Sequence, residues 1–573
     1  MHNKYIERIY DNTNLAESYA GVVAPLTFSF ARDLYEGVYR HFAVFMGISR
    51  RKRHEHEDIF PRMVVLIGYH MYYDLRNWYV LISLLPGYSY NKGFFEKMLG
   101  VGADNSGTLE GGNTGVHHIR EMLRLALQFV VIAGIFISMP LLIRRFSRQF
   151  EHAYRAFIDM DLAEMDYTAL LSHYAHVRTD LVRLWRIPIA NDFAVMVSVG
   201  AAHRLYKRWT GRDDFVSRLR LTSNAHLATL DPGRALYAIA EELRRDPGVL
   251  ERLRSEVPTD AYNALLREYR GKKVCALIEK YIAYFGSRVP NELKLETPTL
   301  REAPHEIVTL ILSVDTAHRA LTTRLSSHRQ HDALADINAG LFRRLVLRFL
   351  ISWARRSIRY REETRLARTQ IFGHARQVFL RIGDTLVEKG ILPDRTDVMY
   401  LTSAEMCDAE HVGAAKEVVE GRKREMRAWK KITMPSRIVS GDPISGIEER
   451  IRSGDFAYGT EKETSLRGIV ASRGGSTTVS GKALVLTEFD PHADFADKIL
   501  VTTHTDPGWA VAFSLVRGIV VERGGILSHA SIVAREMNIP CIIGLSGATR
   551  TIPHDSDIAL NMERGEVNVQ NAL

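Results

Sequence analysis

The sequence has little cysteine: Cys275, Cys407 and Cys541 stand far apart in 573 residues. That excludes a disulfide framework and a zinc site built on paired cysteines, and it fits a reducing, cytoplasmic compartment. No secretory leader is expected, because MHNKYIERIYDNTN has neither an apolar core nor a small-residue cleavage site. There is no zinc-finger spacing, no RNA-recognition signature and no separate basic tail. The net charge of +9 therefore does not by itself indicate a nucleic-acid partner, and none is expected. Long internal repeats and low-complexity tracts are absent. Only one long uncharged run occurs, LALQFVVIAGIFISMPLLI from Leu125 to Ile143, with Gln128 and Pro140 inside it and Arg144 and Arg145 after it. A bilayer-spanning helix needs about 20 apolar residues, so this run is marginal. We read it as a buried core helix and expect no membrane partner.

What is present is ordinary globular composition, 46% hydrophobic and 25% charged, in a chain long enough for two or more cored domains. Up to about residue 435 the pattern is mostly helical. ARDLYEGVYRHFAVFMG and RALYAIAEELRR carry apolar residues at three- and four-residue spacing. In residues 341–390, Phe342, Val346, Phe349 and Trp353 recur on one face with arginines opposite, and Gly390 and Pro393 mark the end. An extended piece, DVMYLTSAE, is expected next. Residues 436–465 are broken by Gly441, Pro443, Gly446, Gly454 and Gly459, and read as a linker with one short helix around IEERIRSG. From residue 466 to 573 strands and helices alternate, closing on a hairpin in IALNMERGEVNV. The fold class expected is multidomain: a large mainly α-helical domain over 1–435, then a small α/β domain over 466–573.

The chemistry concentrates in GGILSHASIVAREMNIPCIIG, residues 524–544. Gly524 and Gly525 permit close backbone approach. Ser528 suits a helix N-cap and can donate to a phosphate oxygen. His529 then opens a helix, where free N–H groups and the helix dipole favour an anion. Imidazole is a good nucleophile toward phosphorus near neutral pH. Arg535, two turns on, is a further phosphate-binding candidate. This stretch resembles the phosphohistidine signature of the phosphoenolpyruvate-utilising enzymes, which include phosphoenolpyruvate synthase, pyruvate phosphate dikinase and rifampin and phenol phosphotransferases. The likeness extends upstream through THTDPGWAVAFSLVRGIVVERGG, residues 503–525, and LRGIVASRGGSTTVSGKALVL. Thr505 and Asp506 fall at an expected helix cap, either as caps only or beside the phosphate. A swivelling phosphohistidine domain with His529 as catalytic residue is what the resemblance implies. GGSTTVSGKA, by contrast, only mimics a phosphate-binding loop. Five residues separate Gly475 from Gly481 rather than four, Ala483 stands where Ser or Thr is needed, and a strand should follow.

Residues 12–42, 72–88 and 359–406 resemble the helical acceptor-side region of the rifampin phosphotransferase-like and phenylphosphate synthase-like members. Under that resemblance Arg361, Glu362 and Arg365 are acceptor-side or phosphate-facing candidates; the alternative is an exposed salt-bridged helix face. Asn12, Asn14, Glu17 and Thr27 are further acceptor-side candidates. The aromatic and apolar residues around 72–96 suit either an apolar pocket or a core. RKRHEHED at 51–58 reads as a solvated loop rather than a metal site, and no metal site is expected on the chain.

We read no ATP-grasp segment before the helical region and expect no pyruvate-binding barrel after residue 573. The resemblance then implies the histidine-bearing, acceptor-binding half of a split phosphotransferase. ATP and Mg²⁺ would be used by a separate ATP-grasp subunit, with AMP and phosphate as co-products. His529 would pass the phosphoryl group to a small hydroxyl, phenol or enol acceptor. Two alternatives stay open: a non-catalytic scaffold with a regulatory phosphohistidine, and a phosphorylation-dependent dehydratase.

Overall fold

Ala24 is extended and Pro25 takes the first helical position, where its missing N–H is not needed, so helix α1 (Pro25–Phe45) starts there. Phe30, Ala31, Val38, Tyr39 and Phe42 recur at helical spacing and are buried. The structure, a computed structural model, describes residues 7–85, 118–212, 215, 231–316, 340–408, 415–455, 466–490, 493–513 and 515–570. Three longer helices complete the frame: α2 (His118–Ile158), α3 (Tyr167–Thr210) and α4 (Leu341–Glu388). The Asp166 carboxylate caps α3 by accepting Ala169 N–H at 2.7 Å. Gly211, at φ 71°, ends it in the left-handed conformation that favours glycine. Five shorter helices between Asp231 and Thr316 gather round a core of their own that includes Leu236, Ile239, Ile278, Ile307 and Ile311.

Helix α4 ends at Lys389 and Gly390 (φ 69°), as the sequence suggests. Its buried face is not the one the spacing of Phe342, Val346, Phe349 and Trp353 picks out. Phe342 and Phe349 are exposed, and Leu347, Leu350, Ile351, Ala354 and Ile358 are buried instead. Both stripes are apolar at this end of the helix, so periodicity alone could not choose between them. The apolar run 125–143 also departs from a fully buried core helix. Ile132, Ile135, Met139 and Ile143 are buried, while Leu127, Phe129, Val130, Ile137 and Leu141 are exposed. This part of α2 packs along one side only. Ala126–Ile158 is long and apolar enough to cross a membrane, and 22% of its apolar window is buried.

The N-terminal region is not wholly helical. Strands β1 (Arg8–Asp11), β2 (Val64–Ile67), β3 (His70–Asp74) and β4 (Arg437–Ser440) form an antiparallel sheet in the order β2-β3-β1-β4. Strand β4 and the helix Ile444–Ser453 lie within the stretch read as linker. Ile447 and Ile451 of that helix pack in a core with Tyr10, Tyr72 and Trp429. Residues 456–465 of the linker lie outside the described residues. The expected extended piece after α4 is a 3-10 turn, Arg395–Tyr400, and a short helix, Ser403–Cys407, with a Thr402/Glu405 capping box.

From residue 467 the chain builds the small α/β domain. β6 (Thr478–Leu486), β7 (Ile499–Thr502), β8 (Gly518–Val521) and β9 (Cys541–Ile543) run parallel. β5 (Ile469–Ser472) joins β9 antiparallel at one edge. The hairpin of β10 (Asp557–Asn561) and β11 (Glu566–Gln570) joins β6 at the other. The phosphate-loop mimic is a turn: Gly474 and Gly475 have φ of 61° and 78°, and β6 follows. The large α-helical region followed by a smaller α/β domain is the fold class the sequence implies.

Candidate functional site at the histidine helix

Strand β8 leads through residues 522–528 into helix α5 (His529–Glu536). The loop closes on itself. Gly524 sits at φ 134°, and a Cβ there would lie 3.2 Å from the Ser528 side chain, so glycine is required. Ser528 Oγ caps α5 by accepting Ser531 N–H at 3.3 Å, and it donates to Ser531 Oγ at 2.9 Å. Gly525 O accepts both Ser528 N–H and Ser531 O–H at 2.9 Å. The Ser528 hydroxyl is thus engaged in shaping the turn.

His529 is fully buried. Its ring lies 5.6 Å from Phe513, nearly parallel, and neither ring nitrogen has a hydrogen-bond partner. Its backbone N–H donates to Glu17 Oε2 at 3.3 Å. Burial drives the imidazole pKa down to about 3; Arg365 and Arg288 push the same way, against Glu362. The ring is therefore neutral through the physiological range, with a lone pair available.

The structure brings most of the other sequence candidates to this point. Arg365 is buried, 3.4 Å from Glu362 and 3.5 Å from Glu17. Burial opposes its charge, but Glu362, Glu17 and Glu292 more than offset that and raise its pKa. Arg361 Nη1 donates to Leu527 O at 3.4 Å, and its Nε lies 3.6 Å from Asp192. Asp506 accepts Gly508 N–H at 2.8 Å, the expected capping turn, and Asn291 N–H at 2.7 Å from the helical region. Burial raises its pKa to about 7, with Glu292 adding to the shift and those N–H bonds opposing it. Thr505 Oγ1 is buried with no hydrogen-bond partner. Arg535 is placed differently from its sequence assignment. It is buried in the small domain, where its guanidinium donates to Ile526 O at 2.5 Å and so braces the loop before His529.

Beside this cluster lies a cavity of about 240 Å³. Tyr35, Tyr39, Phe42, Tyr73, Trp78 and Trp185 give it aromatic walls. Asn14, Glu17, Asp192, Arg361, Arg365 and Arg368 supply its polar lining. Trp78 Nε1 donates to Tyr39 Oη at 3.2 Å, and the Tyr35 and Tyr73 hydroxyls lie 3.3 Å apart, which fixes the rings. Glu17 and Arg361 join the cavity to the histidine loop through their bonds to His529 and Leu527. Residues 73–85 supply pocket walls; residues 86–96 lie outside the described residues. Asn12 and Thr27 do structural work instead. Asn12 N–H pairs with Ser436 O, and Thr27 Oγ1 bonds Glu296 and accepts Leu295 N–H. Helix Arg50–Glu55 is solvated, with an Arg51–Glu55 pair at 2.7 Å. Among the described residues no group of His, Cys, Asp and Glu is arranged to hold a metal.

The loop 286–297 is absent from the sequence-derived site. Arg288 is buried, 3.9 Å from Glu292, and all three guanidinium nitrogens lack a hydrogen-bond partner. Pro290 abuts Gly508 so closely that a Cβ on Gly508 would lie 2.5 Å from Pro290 N. Farther along, Glu296 accepts Ala24 N–H at 3.0 Å and Lys294 reaches Ala20 O at 2.8 Å. This loop therefore connects the small domain to the start of α1. Its sequence signal was an Arg and a Glu four apart beside a proline, a pattern equally at home on a surface.

Comparison with known proteins agrees with this arrangement. Residues 495–565 match the mobile domain of the PEP-utilising enzymes, and residues 189–362 match the fourth domain of rifampicin phosphotransferase. A rifampicin phosphotransferase from a Streptomyces species is 28% identical over 394 residues, covering 66% of this chain and 44% of its own length. One from Bacillus subtilis is 24% identical over 380 residues, covering 63% and 42%. An uncharacterized phosphotransferase of Bacillus subtilis, YvkC, is 30% identical over 203 residues, 34% of this chain and 24% of its own. The chain spans less than half the length of these relatives. His529 lies in the segment matched to the mobile domain, and the helical residues packed against that domain, such as Val199, Tyr206, Leu350 and Ile358, lie in the segment matched to rifampicin phosphotransferase; the chain is thus similar to the phosphoenolpyruvate-utilising enzymes in its small domain and to the rifampicin phosphotransferases in its helical region.

Proposed function

We propose that the chain carries a phosphoryl group on His529 and delivers it to a hydroxyl on a small, largely apolar acceptor held in the aromatic cavity. The observation that supports this best is a buried neutral imidazole with two unpartnered nitrogens, with the buried guanidinium groups of Arg365 and Arg288 acting on it, next to a cavity with aromatic walls. Arg365 and Arg288 suit the charged phosphoryl oxygens during transfer. Burial excludes water that would otherwise take the group. The division into residues 1–435 and a mobile unit over 466–573 belongs to the same proposal; because β4 and the helix Ile444–Ser453 pack on the N-terminal sheet, only the part of 436–465 that follows Ser453 is left to act as the linker. A fully buried His529 cannot meet a phosphoryl donor in this arrangement, so the small domain would have to leave the helical region to be loaded and return to discharge. The donor would be ATP with Mg²⁺, bound by a separate ATP-grasp subunit. A scaffold with a regulatory phosphohistidine has no use for a cavity beside the histidine.

The test is ATP labelled at the β-phosphate, with Mg²⁺, with and without an ATP-grasp partner. The expected result is acid-labile, base-stable label that requires the partner and disappears in His529→Ala. An active partner that leaves the wild-type chain unlabelled would overturn the proposal.

A further inference from the structure

Glu17 occupies the join between the cavity and the histidine helix. It is buried, it lines the cavity, and its Oε2 holds both the His529 amide at 3.3 Å and the Arg365 guanidinium at 3.5 Å. A helix N-terminal amide and a buried guanidinium are the donors an incoming phosphoryl oxygen would seek. In the unphosphorylated chain, therefore, a carboxylate stands where an anion is wanted. The other acidic groups nearby are placed differently. Glu362 is buried against Arg365 on the same helix, and Asp192 lies 3.6 Å from Arg361 and is half-exposed.

Resting on the function proposed above, we infer that Glu17 is the general base toward the acceptor: phosphohistidine takes over the His529 amide and Arg365, and the displaced carboxylate accepts the proton of an apolar alcohol or phenol seated against the aromatic walls. The step balances. The acceptor oxygen forms a bond to phosphorus as the bond from phosphorus to the imidazole nitrogen breaks. The hydroxyl proton passes to Glu17 and then to the vacated ring nitrogen, which leaves His529 neutral and Glu17 ionised. Burial raises the Glu17 pKa, against the pull of Arg365 and Arg361, which makes the carboxylate a stronger base than a free one.

The full chain can be phosphorylated on His529 with phosphoramidate, which bypasses ATP and any partner. Discharge is then followed against pH with phenol, 1-naphthol, geraniol and glycerol for the wild type, Glu17→Gln, Glu17→Asp and Asp192→Asn. The apolar hydroxyl compounds should discharge the wild type faster than glycerol, with a rate that rises with pH to a plateau. Glu17→Gln should lower that rate by about 100-fold or more and remove the pH step, while Glu17→Asp keeps the step. Glu17→Gln discharging like the wild type, or a step lost in Asp192→Asn instead, would overturn the role of Glu17. Wild-type label that none of the apolar compounds discharges would overturn the acceptor class. Failure of wild-type His529 to take label would overturn the phosphotransferase reading itself, and it shows before any acceptor is added.

Discussion

The two faces of the small domain's sheet are packed in different company. One core is private: Ala483, Ile499, Val501, Val520, Ile542 and Leu560 pack with residues that all lie between 466 and 569. The other is shared: Leu500, Ile519, Val521 and Ile543, with Trp509, Phe513 and Ile532, join Val199 and Tyr206 of α3 and Leu350 and Ile358 of α4. The strands divide between them by simple alternation, Ile499 and Val501 to one side and Leu500 to the other. The first core belongs to the domain and the second also to its docking. A domain that leaves must retain the first and expose part of the second.

The difference can be broken in order of size. Ile542→Ala empties a fully buried position in the private core and should cost about 2–5 kcal/mol. Calorimetry should show the small domain melting earlier, with the helical region unchanged; a single transition shifting as a whole would mean that the two cores are not separable. Gly508→Ala places a Cβ against the Pro290 backbone and should loosen docking without touching the private core. Hydrogen exchange of the α5 amides should rise about tenfold at nearly constant melting temperature; unchanged exchange would remove that contact from the docking interface. The smallest effect is in pH. Burial raises the Asp506 pKa from the ordinary 3.8 to about 7, so its contribution to the folded arrangement is complete below 3.8 and lost as pH rises through about 7. His529, lowered from 6.5 to about 3, has the opposite sense: its contribution is present above 6.5 and lost as pH falls through about 3. Protection of the α5 amides, measured relative to their base-catalysed intrinsic exchange, should therefore fall between pH 6 and 8, and Asp506→Asn should flatten that fall.

What was legible in the sequence was local. The histidine loop declares itself because a positive-φ glycine, a capping serine and a helix start are all encoded within six residues. The α/β alternation of 466–573 likewise reads from strand composition and turn glycines. The four-stranded sheet did not, because its strands are four or five residues long and pair across the chain, Arg8 with Ser440 and Tyr10 with Asp74. Alternation needs more length than that to show. Arg288 and Asn291 were hidden for a related reason: their meaning depends on residues as far along the chain as Asp506, 215 positions after Asn291. Arg535 was over-read, since position on a helix does not say which way a long side chain turns once a loop carbonyl is within reach.

Strand β4 pairs with β1 over Arg8–Asp11, and Arg437 bonds Asp11 at 3.0 Å, immediately before the residues that carry Asn14 and Glu17. The connection to the small domain is thus fastened beside the segment that lines the aromatic cavity. Fully extended, the covalent path from Ser453 to Arg467 reaches at most roughly 50 Å. If His529 is loaded as proposed, the loading has to happen inside that radius. Under the proposed function the tethered histidine would stay at an effective concentration on the order of millimolar around a single pocket, which would favour an acceptor held there over any in bulk solution.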